Sequence, residues 1–173
     1  MRKIVFTGPE STGKTTLVER LAHELRVPYV PEVARTYISA LQRPYTNEDL
    51  HNIAMLQMSE EERVRTHHPH ILLCDTDLLT IKIWSEDKFK ECATWLTHAF
   101  VDRTPEIYFL CAPDFPWQHD PLREDPHRRE HLYQVYRDHL IHYKLRFIEL
   151  TGSLDERVYT VIHHLHGPIQ QLF

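Results

Sequence analysis

Near the start of the chain stands Gly8-Pro9-Glu10-Ser11-Thr12-Gly13-Lys14-Thr15, a complete G-x-x-x-x-G-K-[ST] pattern. Residues of these types at this spacing grip a polyphosphate. Backbone N–H groups must turn inward around phosphate oxygens, and Gly8 and Gly13 permit this by lacking Cβ and accepting positive φ. Lys14 brings a point charge to the outer phosphates, and Thr15 offers a hydroxyl to Mg²⁺. The helix that opens there aims its positive end at the anion. Glu10, Ser11, Thr12 and Thr16 share the loop and its first turn and are candidate nucleotide contacts. The chain has only four glycines and two of them fall in this pattern, so glycine-rich composition does not account for it.

Carboxylates follow where such a loop needs them. In sheets built from alternating strands and helices, ligands gather at the carboxyl ends of the strands. Asp75 ends the apolar run Ile71–Cys74, the place where a P-loop protein holds its metal, and is expected to share Mg²⁺ with Thr15. An attacking hydroxyl needs a proton acceptor, and either Asp77 or Glu32, which follows the short run 28–31, could supply it. Asp77 could equally cap the helix that starts beyond it. Lys14, Asp75, Asp77 and Arg123 form the expected catalytic set.

Arg123 and Arg128 lie in or beside a polar, proline-interrupted stretch, 113–126. Loops of that length are commonly lids, and this one is taken to reach about residue 128. Arginines there would neutralise a phosphoryl group in transit and touch the nucleotide, whereas Arg129 reads as a solvated helix start. Gln57 is a polar residue on the inner face begun by Leu50, Ile53 and Ala54. It would meet either a substrate amide or a core hydrogen-bonding group.

The elements that must carry these residues alternate along the chain. Apolar runs at 3–7, 28–31, 71–74, 107–111 and 146–150 read as strands. Helical spacing is expected after the glycine loop (Leu17, Leu21, Leu25), over 33–41 and from Thr46. Further helical stretches are expected around 78–84, 89–101 and 128–144, and at Leu154, Val158, Val161 and Leu165. Short, wholly apolar strands between helices predict an α/β fold: a five-stranded parallel sheet with helices on both faces. No repeat or linker divides the 173 residues, so one domain is expected.

Composition narrows the partners. The formal charge is −5 and no basic stripe alternates with aromatics, which argues against a nucleic-acid groove, while the local basic patch around Arg123 to Arg129 suits a small anionic ligand. No apolar run is long enough for a membrane span, and a cytoplasmic location is expected. Cys74, Cys92 and Cys111 lack C-x-x-C spacing and read as reduced thiols. The 14 histidines are scattered and predict solvated surface rather than a metal site.

The segments FTGPESTGKTTL, YVPEVARTYI, LLCDTD, DFPWQHDPLRE (114–124) and ELTGS, in that order, resemble the kinase domain of NadR-type nicotinamide riboside kinases. The resemblance runs from about Val5 to about Arg157. It implies a fold like the nucleoside and nucleotide monophosphate kinases, with ATP as donor and a riboside 5′-hydroxyl as acceptor. It also implies Asp75 and Asp77 in the metal and base roles, with Glu32, Arg35, Trp117, Asp120 and Arg123 around the substrate. Gly152 and Ser153 fall where the last strand of such a fold meets the adenine. The adenylyltransferase motif of bifunctional NadR proteins does not occur here. Where some members carry Trp before the second-strand Glu, this chain has Pro31, so ring recognition passes to Trp117 or Tyr37, or the substrate differs. The expectation is phosphorylation of nicotinamide riboside to nicotinamide mononucleotide. The alternatives are another nucleoside-like acceptor or a regulatory nucleotide-binding module with slow hydrolysis.

Overall fold

The computed structural model describes residues 1–67, 70–116 and 127–166. Within them the chain forms, in order, β1 (Arg2–Thr7), α1 (Lys14–Leu25), β2 (Tyr29–Val30), α2 (Val33–Ser39), α3 (Asn47–Arg65) and β3 (Ile71–Asp75). It continues with α4 (Leu78–Phe89), α5 (Thr94–Asp102), β4 (Ile107–Cys111), α6 (Arg129–His142), β5 (Phe147–Leu150) and α7 (Leu154–His166). The five strands lie in one parallel sheet, ordered β2-β3-β1-β4-β5. All five expected strands are present, within a residue or two at their ends.

The apolar runs are continuous because the sheet is covered on both faces. On one side Ile4, Phe6, Leu73, Phe109 and Cys111 pack against Leu17, Val18 and Leu21 of α1 and Val158, Val161 and Leu165 of α7. On the other, Val5, Cys74, Tyr108 and Leu110 meet α2 through α6, including Ile53, Leu79, Phe100 and Tyr136. Each strand thus sends alternate residues into two separate cores. Both cores tether the strand ends from which the loops of interest depart.

Helix starts follow local chemistry. Thr46 opens α3 in a capping box: its hydroxyl accepts from Asp49 N–H, and the Asp49 carboxylate accepts from Thr46 N–H. The stretch expected as helix over 89–101 begins later. Lys90 adopts φ 60° and stops α4, and the Ser85 hydroxyl donates to the Glu91 carbonyl at 2.6 Å. That bond holds the turn out of helical geometry until Thr94. No helix among the described residues is long and apolar enough to cross a membrane. Cys74 and Cys111 are buried free thiols, and Cys92 is free and half-buried.

Candidate functional site

At the end of β1 the chain turns through Gly8 (φ 130°), Ser11 (φ 55°) and Gly13 (φ 75°) before α1 begins. Gly8 is required sterically as well as conformationally, because a Cβ there would stand 2.7 Å from the Cys111 carbonyl oxygen. At Gly13 a Cβ would press to 3.3 Å on the Phe115 ring. Lys14 folds back over the loop, and its ammonium donates to the carbonyls of Pro9 (2.7 Å) and Gly8 (3.0 Å). The Thr12 hydroxyl donates to the same Pro9 carbonyl at 2.9 Å. The lysine is therefore held at the loop by the oxygens it would exchange for phosphate.

The spacing Asp75-x-Asp77 would put both acids on one face of an extended strand. Thr76 breaks that alternation: it takes φ 70°, unusual for a β-branched residue, with its N–H donating to the Phe6 carbonyl at 3.0 Å. The two carboxylates consequently part. Asp75 stays on the side of α1, where its Oδ2 accepts from the Thr15 hydroxyl at 2.6 Å. Its Oδ1 is buried and has no hydrogen-bond partner among the described residues. Burial pushes its carboxyl above the ordinary aspartate range, opposed by the charge of Lys14. An acid kept dry with one oxygen unspent, beside a threonine hydroxyl, is a donor set suited to a hard cation such as Mg²⁺. Thr15 and Asp75 are the residues that would hold it.

Asp77 crosses to the opposite core and does not line the phosphate site, which corrects the expectation that it acts there as the base. Its Oδ1 accepts from Leu79 N–H at 3.0 Å, capping α4, and its Oδ2 accepts from the Tyr108 hydroxyl at 2.7 Å. Lys3 lies 4.0 Å away and is itself paired with Glu61 at 2.8 Å. Burial drives the Asp77 carboxyl upward against the pull of Lys3.

One cavity of about 540 Å³ begins at the glycine loop and runs past the ends of β2 and β3 between α2, α4 and α6. Its phosphate end takes Gly8 through Thr16. Its other end takes Glu32, Arg35, Thr80, Trp84, Asp87, Lys88, Arg128 and Tyr136. Glu32 precedes α2 at the N-cap position without using its side chain as a cap, and Arg35 lies one turn on. Arg128, at the head of α6, reaches Asp87 with two hydrogen bonds of 2.7 and 3.0 Å and so spans from α6 to α4.

Several expected contacts lie elsewhere. Tyr37 does not line the cavity; its hydroxyl donates to Asp49 at 3.2 Å. Gln57 is buried within α3, away from the cavity, and its amide nitrogen finds no partner among the described residues. Gly152 and Ser153 form the turn ahead of α7, where the Ser153 hydroxyl and N–H both engage Glu156. They do not line the cavity, although the next residue, Leu154, does. Trp117, Asp120 and Arg123, with residues 117–126 of the lid expected at about 113–128, lie outside the described residues.

Other contributors escaped the sequence reading. Tyr45 and Trp84, with ring centroids 6.3 Å apart, form an aromatic wall of the cavity. They come from a loop and a helix 39 positions apart, which no local pattern joins. Arg129 is not a solvated helix start: its guanidinium donates to the carbonyls of Ser11 (3.0 Å) and Phe115 (2.8 Å).

Comparison with known proteins bears on the family and the fold. Residues 3–157 match the sequence model of an AAA domain family. No curated protein sequence matches the chain. Two crystal structures of NadR protein, one in complex with NAD and AMP-PNP and one with NR, superimpose with TM-scores of 0.77 and 0.76 at 20% and 21% identity. Each alignment covers 99% of this chain but 51% and 54% of the other, so the chain spans about half the length of those structures. Thymidylate kinase from Ehrlichia chaffeensis aligns over 95% of this chain and 98% of its own (TM-score 0.68, 15% identity). Deoxyadenosine kinase from M. mycoides, with dCMP and dCDP bound, has the same coverage (TM-score 0.67, 12% identity). The fold is that of NadR-type P-loop domains and of nucleoside and nucleotide kinases.

Proposed function

As the chain belongs to this AAA domain family, a P-loop family with the nucleoside-kinase fold, we propose that it is an ATP-dependent kinase acting on the 5′-hydroxyl of nicotinamide riboside. The product would be nicotinamide mononucleotide. The observation that carries the reading is that Glu32 and Arg35 line the same cavity as Lys14 and Thr15. A bound triphosphate would present its outer phosphorus toward a carboxylate able to accept a proton.

In the proposed reaction the riboside oxygen forms a bond to the γ-phosphorus while the bond to the β,γ-bridging oxygen breaks. The hydroxyl proton passes to Glu32, and ADP leaves with the electron pair. Lys14, released from the Gly8 and Pro9 carbonyls, and the N–H groups of residues 10–15 hold the β- and γ-phosphates. Magnesium, when bound by Thr15 and Asp75, supplies charge neutralisation on the phosphates. Arg35 and Arg128 bring positive charge to the cavity.

The nicotinamide assignment rests on the resemblance and on the far wall. A pyridinium ring is cationic and favours a π-face flanked by acids. Trp84 lines the cavity and would offer such a face, with Glu32 and the Arg128-paired Asp87 lining the same space. The face of Tyr45 is covered by Lys88, whose ammonium sits 3.7 Å from the ring centroid. The test is competition: ATP, Mg²⁺ and equal concentrations of nicotinamide riboside, uridine, cytidine and deoxynucleosides, with products resolved by mass. The highest kcat/KM is expected for nicotinamide riboside. A higher value for an ordinary nucleoside would replace the acceptor and keep the kinase, and no product from any of them would remove the kinase reading.

A further inference from the structure

A loop that turns N–H groups inward around phosphate leaves carbonyls that need donors from the protein. Gly8 and Pro9 use Lys14, Gly13 accepts from Leu17 N–H within α1, and Ser11 uses Arg129. The Thr12 carbonyl is taken from 145 positions away by Arg157 of α7, whose Nη1 donates at 2.8 Å.

Arg157 is 1% exposed, the largest fully buried side chain described, and lies outside the cavity. Its guanidinium serves three segments at once. Nη2 donates to the Ala112 carbonyl beyond β4 at 3.1 Å and pairs with Asp114, and Nε donates to the Gly152 carbonyl beyond β5 at 3.1 Å. Asp114 closes the circuit by accepting from Gly152 N–H at 2.7 Å. The flat face of the cation lies 4.5 Å over the Phe115 ring, the same ring that packs against Gly13.

We infer that Arg157 is a positioning residue for the donor nucleotide: one buried guanidinium sets the phosphate loop in register with the Gly152–Ser153 turn, which leads into Leu154 in the cavity wall, so that the loop and that part of the wall are held as a unit. This rests on the nucleotide reading of the site. The residue type follows from the task. Three carbonyls and a carboxylate lie in different directions around one plane, which a guanidinium fork serves and a lysine ammonium does not. A side chain needed only to fill space would not carry a charge into the interior, where ions are costly to desolvate.

The experiment compares Mg²⁺-dependent binding of ATP and of tripolyphosphate, which has the phosphates but no base, to the full chain, to Arg157→Lys and to Asp114→Ala. Steady-state kinetics run alongside. Arg157→Lys is expected to weaken ATP at least tenfold and tripolyphosphate about threefold. KM for ATP should rise, while KM for the acceptor stays within twofold. Asp114→Ala, at a more exposed residue, should show the same selectivity at about threefold, and it carries the test where Arg157→Lys does not fold. Variants that melt cooperatively yet bind ATP as the wild type does overturn the inference alone. Equal losses for ATP and tripolyphosphate overturn the link to the Gly152–Ser153 turn. A wild-type chain that binds neither ligand overturns the nucleotide reading and this inference with it.

Discussion

Thr15 and Asp75, 60 positions apart, meet in a 2.6 Å hydrogen bond from hydroxyl to carboxylate, and the second oxygen of that carboxylate is buried without a partner among the described residues. The bond joins the first turn of α1 to the end of β3. Asp75→Asn keeps an acceptor for Thr15, so the fold should survive. The cation site would lose its charge, and kcat should fall by about a hundredfold or more. Turnover titrated with Mg²⁺ checks this, and a variant at near-native rate would leave Asp75 a structural acid.

The same carboxyl predicts a pH effect. Burial raises its pKa, opposed by Lys14, and the ionised form is the one that holds a cation. Activity should therefore be present above that raised value and decline as pH falls through it, starting at a higher pH than an ordinary aspartate would give. Protons and Mg²⁺ compete for the group, so raising Mg²⁺ should move the decline to lower pH. A pH–rate profile at limiting and saturating Mg²⁺ tests this; an acid limb that ignores Mg²⁺ would assign the titration to another group.

Lys14→Ala should abolish turnover, with at least a hundredfold loss in kcat, and weaken triphosphate binding. The Gly8 carbonyl loses its ammonium donor, at a cost of about 1 kcal/mol, so the fold should remain. Calorimetric binding and a thermal melt separate the two effects. Unchanged affinity and rate would remove the phosphate site from residues 8–15.

Glu32 and Asp77 should behave oppositely. Glu32→Gln is expected to lower kcat by about 10²–10⁴ with little change in stability, as for a general base. Asp77→Asn should leave kcat within a few-fold. It would cost about 1–3 kcal/mol of stability, because Asn offers one acceptor oxygen where Leu79 N–H and the Tyr108 hydroxyl use two. The pair is scored by kcat and urea unfolding; the reverse pattern restores Asp77 as the base.

Asp49 supplies a stability prediction free of catalysis. Arg43, and then Thr46, hold its carboxyl far below the usual carboxylate range. A depressed folded value means that its contribution is present above the unfolded pKa and fades as pH falls toward the folded one. Asp49→Asn should therefore be less stable than the wild type at pH 7 by about 1 kcal/mol, the scale of a cap. The difference should shrink below about pH 4, near the unfolded aspartate value. Urea midpoints between pH 3 and 7 test this, and a gap constant with pH would attribute the loss to packing.

What could be read from the sequence was what is contiguous. Gly8 to Thr15 form their loop from neighbours, and the apolar runs announce strands because both faces of the sheet are covered. Asp75 was legible as the residue ending such a run. Asp77 was legible as a helix cap, but its departure from the phosphate site was not, since a single positive φ at Thr76 sends it to the other core. Arg157 and Arg129 eluded the reading because the phosphate-loop carbonyls they serve, of Thr12 and Ser11, lie more than a hundred positions away. Trp84 and Tyr45 share a wall only once α4 is laid beside the loop that precedes α3. Trp117, Asp120 and Arg123 lie outside the described residues.

The strand order has a consequence for how such a chain can change. From β1 at the centre, the polypeptide first runs out to the edge strand β2 and returns to β3 beside β1, and then, after α5, builds outward on the other side through β4 to β5. Glu32, Arg35, Tyr45, Trp84 and Asp87 all come from the first half of that itinerary. The segments joined by Arg157 beyond β4 and β5 come from the second. Mutation and recombination confined to residues 28–90 can therefore remodel the part of the cavity wall opposite Arg128 and Tyr136 while the Arg157 clasp passes to descendants intact. A lineage built this way would diversify by acceptor while keeping one phosphate donor.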